Sequence, residues 1–273
     1  MHPASNHAHV RIVQSRQNAR VKELRAALRS GEKTESGLIA LEGHHLVEEA
    51  LCSNLRIRTL FVRSGNLSSI DRLPLASETE ILELPPDIFS SAVTTESPQP
   101  IAALAEAPAF TLEAILAKPH PLILVSAGLQ DPGNLGTIIR SGEAFGAPGV
   151  VTLPGTVSVW NAKTLRASSG SAFRLPVVAT SNSELFTRLR SHRIHTVATT
   201  VDGGIPAHQF DLTQPIAVFI GNEGSGLSPE LASQCGDRIT IPTPGAVESL
   251  NAAIATSILL YEAARQRQAL RAN

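Results

Sequence analysis

The sequence predicts an α/β fold, in which a small α/β unit precedes a larger domain built on a mostly parallel sheet with helices on both faces. Three observations lead there. Hydrophobic residues make up 42% of the 273 and aromatics only 4%. The apolar content is mostly Ala, Leu, Ile and Val, which suits helices packed on a buried parallel sheet. Short apolar runs of strand length alternate with helical patterns, and a proline-bearing stretch, Glu106–Pro121 with Pro108, Pro119 and Pro121, divides the chain in two.

Taken in order, Val21, Leu24 and Leu28 recur at helical spacing between basic residues, which predicts a basic amphipathic helix over Asn18–Leu28. After Gly31 the pattern reads as strand at Leu38–Leu41, helix at His44–Ser53 and strand at Ile57–Val62. Two further apolar runs, Ile81–Leu84 and Ile101–Leu104, complete the small unit. A short helix is expected at Thr111–Ala117 inside the connection. Beyond it, buried strands are expected at Leu122–Ser126, Gly149–Leu153, Val177–Ala179, His195–Thr199, Ala217–Gly221 and Arg238–Ile241, with helices between most of them. The expected organisation is a tail and basic helix over 1–30, a small α/β domain over 31–107, a linker over 108–120 and a second domain over 121–273.

A net charge of −1 does not mark a nucleic-acid binder, so RNA contact would have to come from local clustering. One cluster exists: Arg11, Arg16, Arg20, Lys22, Arg25 and Arg29 stand against the single acid Glu23. It reads equally as a solvated helix face. Cys52 and Cys235 are far apart and lack metal-ligand companions, which favours a reducing cytoplasm over a disulfide framework. Met1–His9 carries no apolar core of signal-peptide length, and Leu250–Ala264 is interrupted by Asn251, Thr256, Ser257 and Glu262, so neither secretion nor membrane insertion is expected. His2, His7 and His9 read as a metal-binding tail or as a disordered terminus. No cluster of acids and histidines has ligand spacing, and no metal is expected.

Three segments carry chemistry. Asp131-Pro-Gly-Asn-Leu-Gly-Thr-Ile-Ile-Arg140 follows a strand and enters a helix reaching Phe145. Gly133 and Gly136 allow close backbone approach, and Asn134 and Arg140 supply an amide and a permanent cation that could grip phosphate. A helix cap followed by a surface arginine is the plainer alternative. Val218-Phe-Ile-Gly-Asn-Glu-Gly-Ser-Gly-Leu-Ser-Pro229 is a buried strand, a glycine-rich turn holding Glu223, and a proline placed to open a helix. It fits neither the phosphate loop nor GxGxxG. Ile241-Pro-Thr-Pro-Gly-Ala-Val-Glu-Ser-Leu-Asn251 is an extended turn that brings Ser249 and Asn251 to a helix start, where they also suit simple capping.

In this order the three segments resemble the signature motifs of the SpoU (TrmH-like) RNA methyltransferases of the SPOUT superfamily: Asn-x-Gly-x-x-x-Arg, Gly-Asn-Glu-Gly-x-Gly-Leu, and Ile-Pro with Ser-Leu-Asn downstream. Arg166-Ala-Ser-Ser-Gly-Ser-Ala-Phe-Arg-Leu-Pro176 is similar to the family's intermediate segment, and the likeness runs over Leu122–Arg267. Leu41–Ala50 and Val93–Ile101 resemble the small RNA-binding domain of ribosomal RNA members, with Pro100 where those members commonly place a glycine. His44 and His45 could touch RNA there or serve at a helix start.

The resemblance implies a deep trefoil knot, a rare exception among folds, and a homodimer with the long final helix as a natural dimer element. It implies S-adenosylmethionine held largely by backbone groups, with Thr199, Gly221, Asn222, Gly226, Ile241, Leu250 and Asn251 at the cofactor. Arg140 would lie beside the target ribose 2′-hydroxyl, with Asn134, Glu223, Ser249 and Asn251 shaping the catalytic pocket. Arg16, Arg20, Lys22, Lys163, Arg166 and Arg174 are candidates for RNA phosphate contacts. Since a guanidinium is very hard to deprotonate, positioning and alkoxide stabilisation is the physically safer role for Arg140. Large-subunit ribosomal RNA is the expected substrate. Transfer RNA, a non-catalytic ribosome-assembly protein and a small-molecule nucleotide enzyme stay open as alternatives.

Overall fold

The computed structural model describes residues 10–272. The His2, His7 and His9 tail and the Met1–His9 leader reading lie outside the described residues. The chain forms two compact units, one of residues up to Ala109 together with Trp160–Phe173, the other of Phe110–Val159 and Arg174 onward. Among the described residues no helix is long and apolar enough to cross a membrane.

The first unit begins with β1 (Val10–Ile12) and α1 (Ala19–Ser30). Asn18 caps α1 by accepting from the Arg20 and Val21 N–H groups, and Gly31 ends it in the left-handed conformation. Val21, Leu24 and Leu28 face the core, as their spacing predicts, and Ala27 joins them. Then come β2 (Leu38–Glu42), α2 (His44–Cys52), β3 (Ile57–Arg63), a 3-10 turn at Leu67–Ile70, β4 (Glu80–Leu84), α3 (Pro86–Ala92) and β5 (Ile101–Glu106). The strands form one sheet in the order β1-β4-β3-β5-β2, parallel across β1, β4 and β3 and antiparallel at β5. β5 starts directly after Pro100, whose carbonyl accepts from Arg63 N–H, so a proline at this position leaves the strand intact.

The second unit contains α4 (Leu112–Leu116), β6 (Leu122–Ala127), α5 (Pro132–Ala144) and β7 (Val150–Leu153). After the excursion α6 (Ala162–Ser168) and α7 (Ser171–Arg174), it resumes with β8 (Val177–Ala179), α8 (Asn182–Ser191), β9 (His195–Thr199), β10 (Ile205–Pro206), β11 (Ile216–Ile220), α9 (Pro229–Ala232), β12 (Asp237–Thr240) and α10 (Ala252–Ala272). The sheet runs β10-β12-β9-β11-β6-β7-β8 with every recorded pairing parallel. This is the α/β architecture the apolar runs predict. β11 is buried at all five residues, and β6 at all but its last, which is why both read as uninterrupted apolar segments.

The strand order reverses between β6 and β11: β7 and β8 extend to one side, β9, β12 and β10 to the other. At such a switch point the loops leaving the carboxyl ends of neighbouring strands diverge and open a crevice. The loops after β6 and β11 carry the first two of the three motif segments.

Candidate active site

The Gly221–Leu227 turn after β11 is compact because of two glycines. A Cβ at Gly221 would sit 2.2 Å from the carbonyl carbon of Gly226, and Gly226 itself has φ +68°. Asn222 and Gly226 exchange backbone hydrogen bonds, and Asn222 Oδ1 accepts from the Gly224 and Ser225 N–H groups. Asn222 Nδ2 donates to Gly128 O at 2.9 Å, tying this turn to the loop after β6.

Glu223 extends that tie. Its carboxylate accepts from Asp131 N–H at 3.1 Å and Asn134 Nδ2 at 3.0 Å through one oxygen, and from Gln130 N–H at 3.3 Å through the other. Burial raises the pKa of this carboxyl, but hydrogen bonds from Asn134 and from the backbone N–H groups of Glu223, Asp131 and Gln130 prevail and hold it below its ordinary value. Asp131 caps α5 by accepting from Asn134 N–H, with Pro132 in the first turn. The first motif is therefore the start of a helix, as its sequence predicts, and Gly136 is buried within α5.

The third motif joins through Asn251. Its Oδ1 accepts from the Ala253 and Ile254 N–H groups, capping α10, while its Nδ2 donates to Asn134 Oδ1 at 2.9 Å. One side chain thus both caps α10 and links the third segment to the first. α5 and α10 then run side by side in the same direction, pinned by a Ser141–Ser257 hydroxyl pair at 2.8 Å and an edge-on Phe145–Tyr261 contact.

Beside this network lies a cavity of about 600 Å³. Of the expected cofactor residues, Thr199, Gly221, Asn222, Gly226, Ile241 and Leu250 line it, as do Glu223 and Ser249; Asn134, Arg140 and Asn251 do not. Its apolar wall includes Ala198, Ile220, Leu227, Ile239, Ala255 and Leu259, and its polar edge includes Thr200, Asp202, Arg238 and Thr240. Such a mostly apolar cleft with a few polar groups suits a ligand of nucleoside size. Thr199 Oγ1 is committed to Phe219 O at 2.9 Å, so the hydroxyl fixes strand spacing while the residue lines the cleft. Motif reading missed Asp202 and Arg238, and also Thr256 and Leu259 on α10. The carboxyl-end rule reaches the loop after β9, and helical periodicity from Ala252 reaches the α10 pair.

Arg140 is exposed on α5, six residues and so roughly 9 Å along the axis beyond Asn134. No hydrogen bond or ion pair engages it among the described residues. The other candidate cations differ. Arg16 pairs with Asp87 at 2.8 Å, Arg20 with Glu23 at 2.8 Å and Glu80 at 3.5 Å, and Arg174 grips Glu143 with two donors at 2.6 and 3.1 Å. Arg11 lies against Glu80 and Arg25 donates to Ser91. Much of the basic cluster around α1 is therefore balanced by acids and carbonyls remote in sequence. Lys22 and Lys163 are exposed on α1 and α6. His44 and His45 open α2: His44 N–H donates to Gln99 Oε1 at 2.7 Å, and the His45 ring bonds Ser169 Oγ at 2.9 Å. Among the described residues no group of three or more His, Cys, Asp or Glu could hold a metal ion.

Comparison with known proteins agrees with this geometry. Residues 121–261 match the SpoU rRNA Methylase family and residues 18–103 the MRM3-like substrate binding domain. The chain is 35% identical over 251 residues to the 23S rRNA (guanosine(2553)-2′-O)-methyltransferase RlmP of Bacillus subtilis, covering 91% of this chain and 97% of that protein. It is 34% identical over 260 residues to the 23S rRNA (uridine(2479)-2′-O)-methyltransferase of Streptomyces viridochromogenes, covering 92% and 91%. Among solved structures, the SpoU methyltransferase AviRb of Streptomyces viridochromogenes in complex with the cofactor AdoMet superposes with a TM-score of 0.82 at 31% identity, over 92% of this chain and 99% of that one. An AdoMet-bound rRNA methyltransferase from Sinorhizobium meliloti gives a TM-score of 0.82 at 31% identity over 94% and 98%. With its motif segments joined at the sheet's switch point and relatives a third identical along nearly their whole length, the chain belongs to the SpoU rRNA methylase family.

Proposed function

We propose that this protein transfers a methyl group from S-adenosylmethionine to a ribose 2′-hydroxyl of large-subunit ribosomal RNA. The observation that carries the reading is the junction of the three motif segments through Asn222, Glu223, Asn134 and Asn251 beside a cleft of nucleoside size. Family membership and the named activities of the relatives support it, and the match of residues 18–103 to a substrate binding domain favours ribosomal over transfer RNA.

S-adenosylmethionine fits the residues present: Ile220, Ile239, Leu250 and Leu259 offer apolar surface, and the turn backbone and Thr199, Asn222 and Ser249 surround them. Bound there, it supplies an electrophilic methyl group on a sulfonium. The chain's own residues do the rest. Asn134, oriented at its amide nitrogen by Glu223 and at its oxygen by Asn251, fixes the start of α5 and so the helix that carries Arg140. Arg140, exposed and with no donor engaged among the described residues, would position the ribose oxygen and an adjacent phosphate and stabilise the negative charge developing on that oxygen while its proton passes to solvent water.

Two further features belong to this reading. The chain after β11 passes beyond β9 to add β12, then returns along α5 as α10, a path consistent with the family's trefoil knot. α10 also leaves an apolar stripe uncovered, with Ile254 53%, Ile258 39% and Tyr261 60% exposed beside Phe145 at 40%. A stripe of that kind on two parallel helices favours a homodimer through this face. The test of function is transfer of tritium from labelled S-adenosylmethionine to 23S ribosomal RNA and, separately, to transfer RNA, followed by nuclease digestion. Label in a 2′-O-methyl nucleotide of 23S RNA supports the reading. Label only in a base, or only in transfer RNA, overturns it.

A further inference from the structure

We infer that Glu42, a buried carboxylate of the N-terminal unit, is a positioning residue that presents the guanidinium of Arg166 to an RNA backbone phosphate. The inference rests on the RNA methyltransferase reading and adds a residue to it. Glu42 closes β2, and its side chain is 4% exposed. One oxygen accepts from Thr94 N–H at 3.3 Å and Thr94 Oγ1 at 2.9 Å, the other from Thr95 N–H at 3.2 Å and from Thr95 Oγ1. Four neutral donors thus converge on this buried carboxylate, two at each oxygen, and solvate it without supplying an opposite charge. Arg166 Nη1 lies 3.9 Å from Glu42 Oε2 with its side chain 44% exposed.

That separation decides the role. It is too long for a hydrogen bond, yet well inside the range where a buried negative charge attracts a guanidinium. Glu42 therefore holds the cation in place without occupying its donors. In the same fold Arg174 spends its fork on Glu143, and Arg16 and Arg20 spend theirs on Asp87 and Glu23, so a phosphate would have to displace an acid from each. At Arg166 nothing needs displacing.

The surroundings are built and not incidental. Thr94 and Thr95 begin the exposed 94–99 loop, which Glu42 pins at one end and the Gln99–His44 bond at the other. Arg166 lies in the last turn of α6, which Ser169 ends in the left-handed conformation, and Ser169 Oγ reaches His45. Three stretches distant in sequence, Leu41–Ala50, Val93–Ile101 and the segment beginning at Arg166, thus meet around one arginine.

The full-length protein tests this by filter binding to an unmodified 23S RNA transcript across a KCl series, together with kcat and KM for methyl transfer. Arg166→Gln is expected to weaken RNA binding about tenfold and to lower the slope of log affinity against log salt by about one. The KM for RNA should rise in step with the weaker binding, while cofactor affinity should stay within about twofold. Glu42→Gln should weaken RNA binding in the wild-type background and add nothing in the Arg166→Gln background, the signature of a residue acting through another. Arg166 is exposed, so its variant reports even where Glu42→Gln lowers the melting temperature. Wild-type affinity and salt slope in Arg166→Gln would overturn the inference, as would tighter binding in Glu42→Gln or equal losses in both backgrounds. Failure of the parent reading looks different: RNA binding that depends on Arg166 without methyl transfer refutes the enzyme and upholds the phosphate site, whereas no RNA binding by the wild type overturns both.

Discussion

Replacing Glu223 by glutamine tests whether the junction between the β6 and β11 loops is held by charge-assisted hydrogen bonds. The carboxylate serves three donors, Gln130 N–H, Asp131 N–H and Asn134 Nδ2, with its two oxygens. Glutamine keeps one oxygen and turns the other into an NH₂ group, so at least one backbone N–H faces a donor instead of an acceptor. A hydrogen bond to a charged group contributes about 1.5–3 kcal/mol. Glu223 is exposed, and water can replace part of what is lost, so the expected cost is about 1 kcal/mol, or about 2–4 °C in the melting temperature of the second unit. The pH dependence supplies the sign. The folded-state pKa lies below the ordinary 4.5, so this stabilisation is present above pH 4.5 and fades as pH falls through the folded value. Calorimetry at pH 7 and pH 3 should show the gap between wild type and variant closing in acid. Methyl transfer should fall between about tenfold and 100-fold, since Asn134 loses its orientation and a small misplacement is costly. Equal melting temperatures at pH 7, or a gap that persists unchanged at pH 3, would refute the reasoning.

Gly221→Ala should fold but bind S-adenosylmethionine at least tenfold more weakly in calorimetric titration, because the new methyl would lie 2.2–2.5 Å from Gly226 and Leu227 backbone atoms and must open the turn. Ile254→Lys with Ile258→Lys should halve the mass seen in sedimentation equilibrium if α10 carries the dimer contact, and an unchanged mass would remove it from that role. Glu262 is held down at about 2 by the Arg265 fork, with burial opposing and Gln266 assisting. Its contribution to stability is therefore full above about pH 4.5 and lost as pH falls toward about 2. Acid-denaturation curves of Glu262→Gln should converge with wild type in that window.

How much of this was legible in the sequence depends on where each residue's partners lie. The buried strands β6 and β11 read directly, because parallel strands covered on both faces are continuous apolar runs. β1 and β10, with three and two residues and mostly exposed, carry no period to detect. α3 hides its pattern behind Pro86, although Ile88, Phe89 and Ala92 face the core. The motif residues were legible as a set, while their connections were not: Asn251 reaches Asn134, and Glu223 reaches Gln130 and Asp131, across about a hundred residues. Charge was the least legible quantity. The cluster from Arg11 to Arg29 counts as basic along the chain, yet Glu80 and Asp87 on β4 and α3 neutralise much of it in the fold. The excursion Trp160–Phe173 shows the same limit. It lies within the stretch matching the SpoU family but packs with the N-terminal unit, with Ala162 in that unit's core.

The measurement that bears most directly on the central claim is single-turnover methyl transfer to 23S ribosomal RNA by wild type and Arg140→Ala at saturating S-adenosylmethionine. Cofactor affinity is measured on the same preparations. The account predicts cofactor binding within about twofold of wild type and a methyl-transfer rate reduced by at least 100-fold, since Arg140 stands outside the cleft lining and is proposed to stabilise the forming alkoxide. Arg140→Ala methylating at the wild-type rate would contradict it.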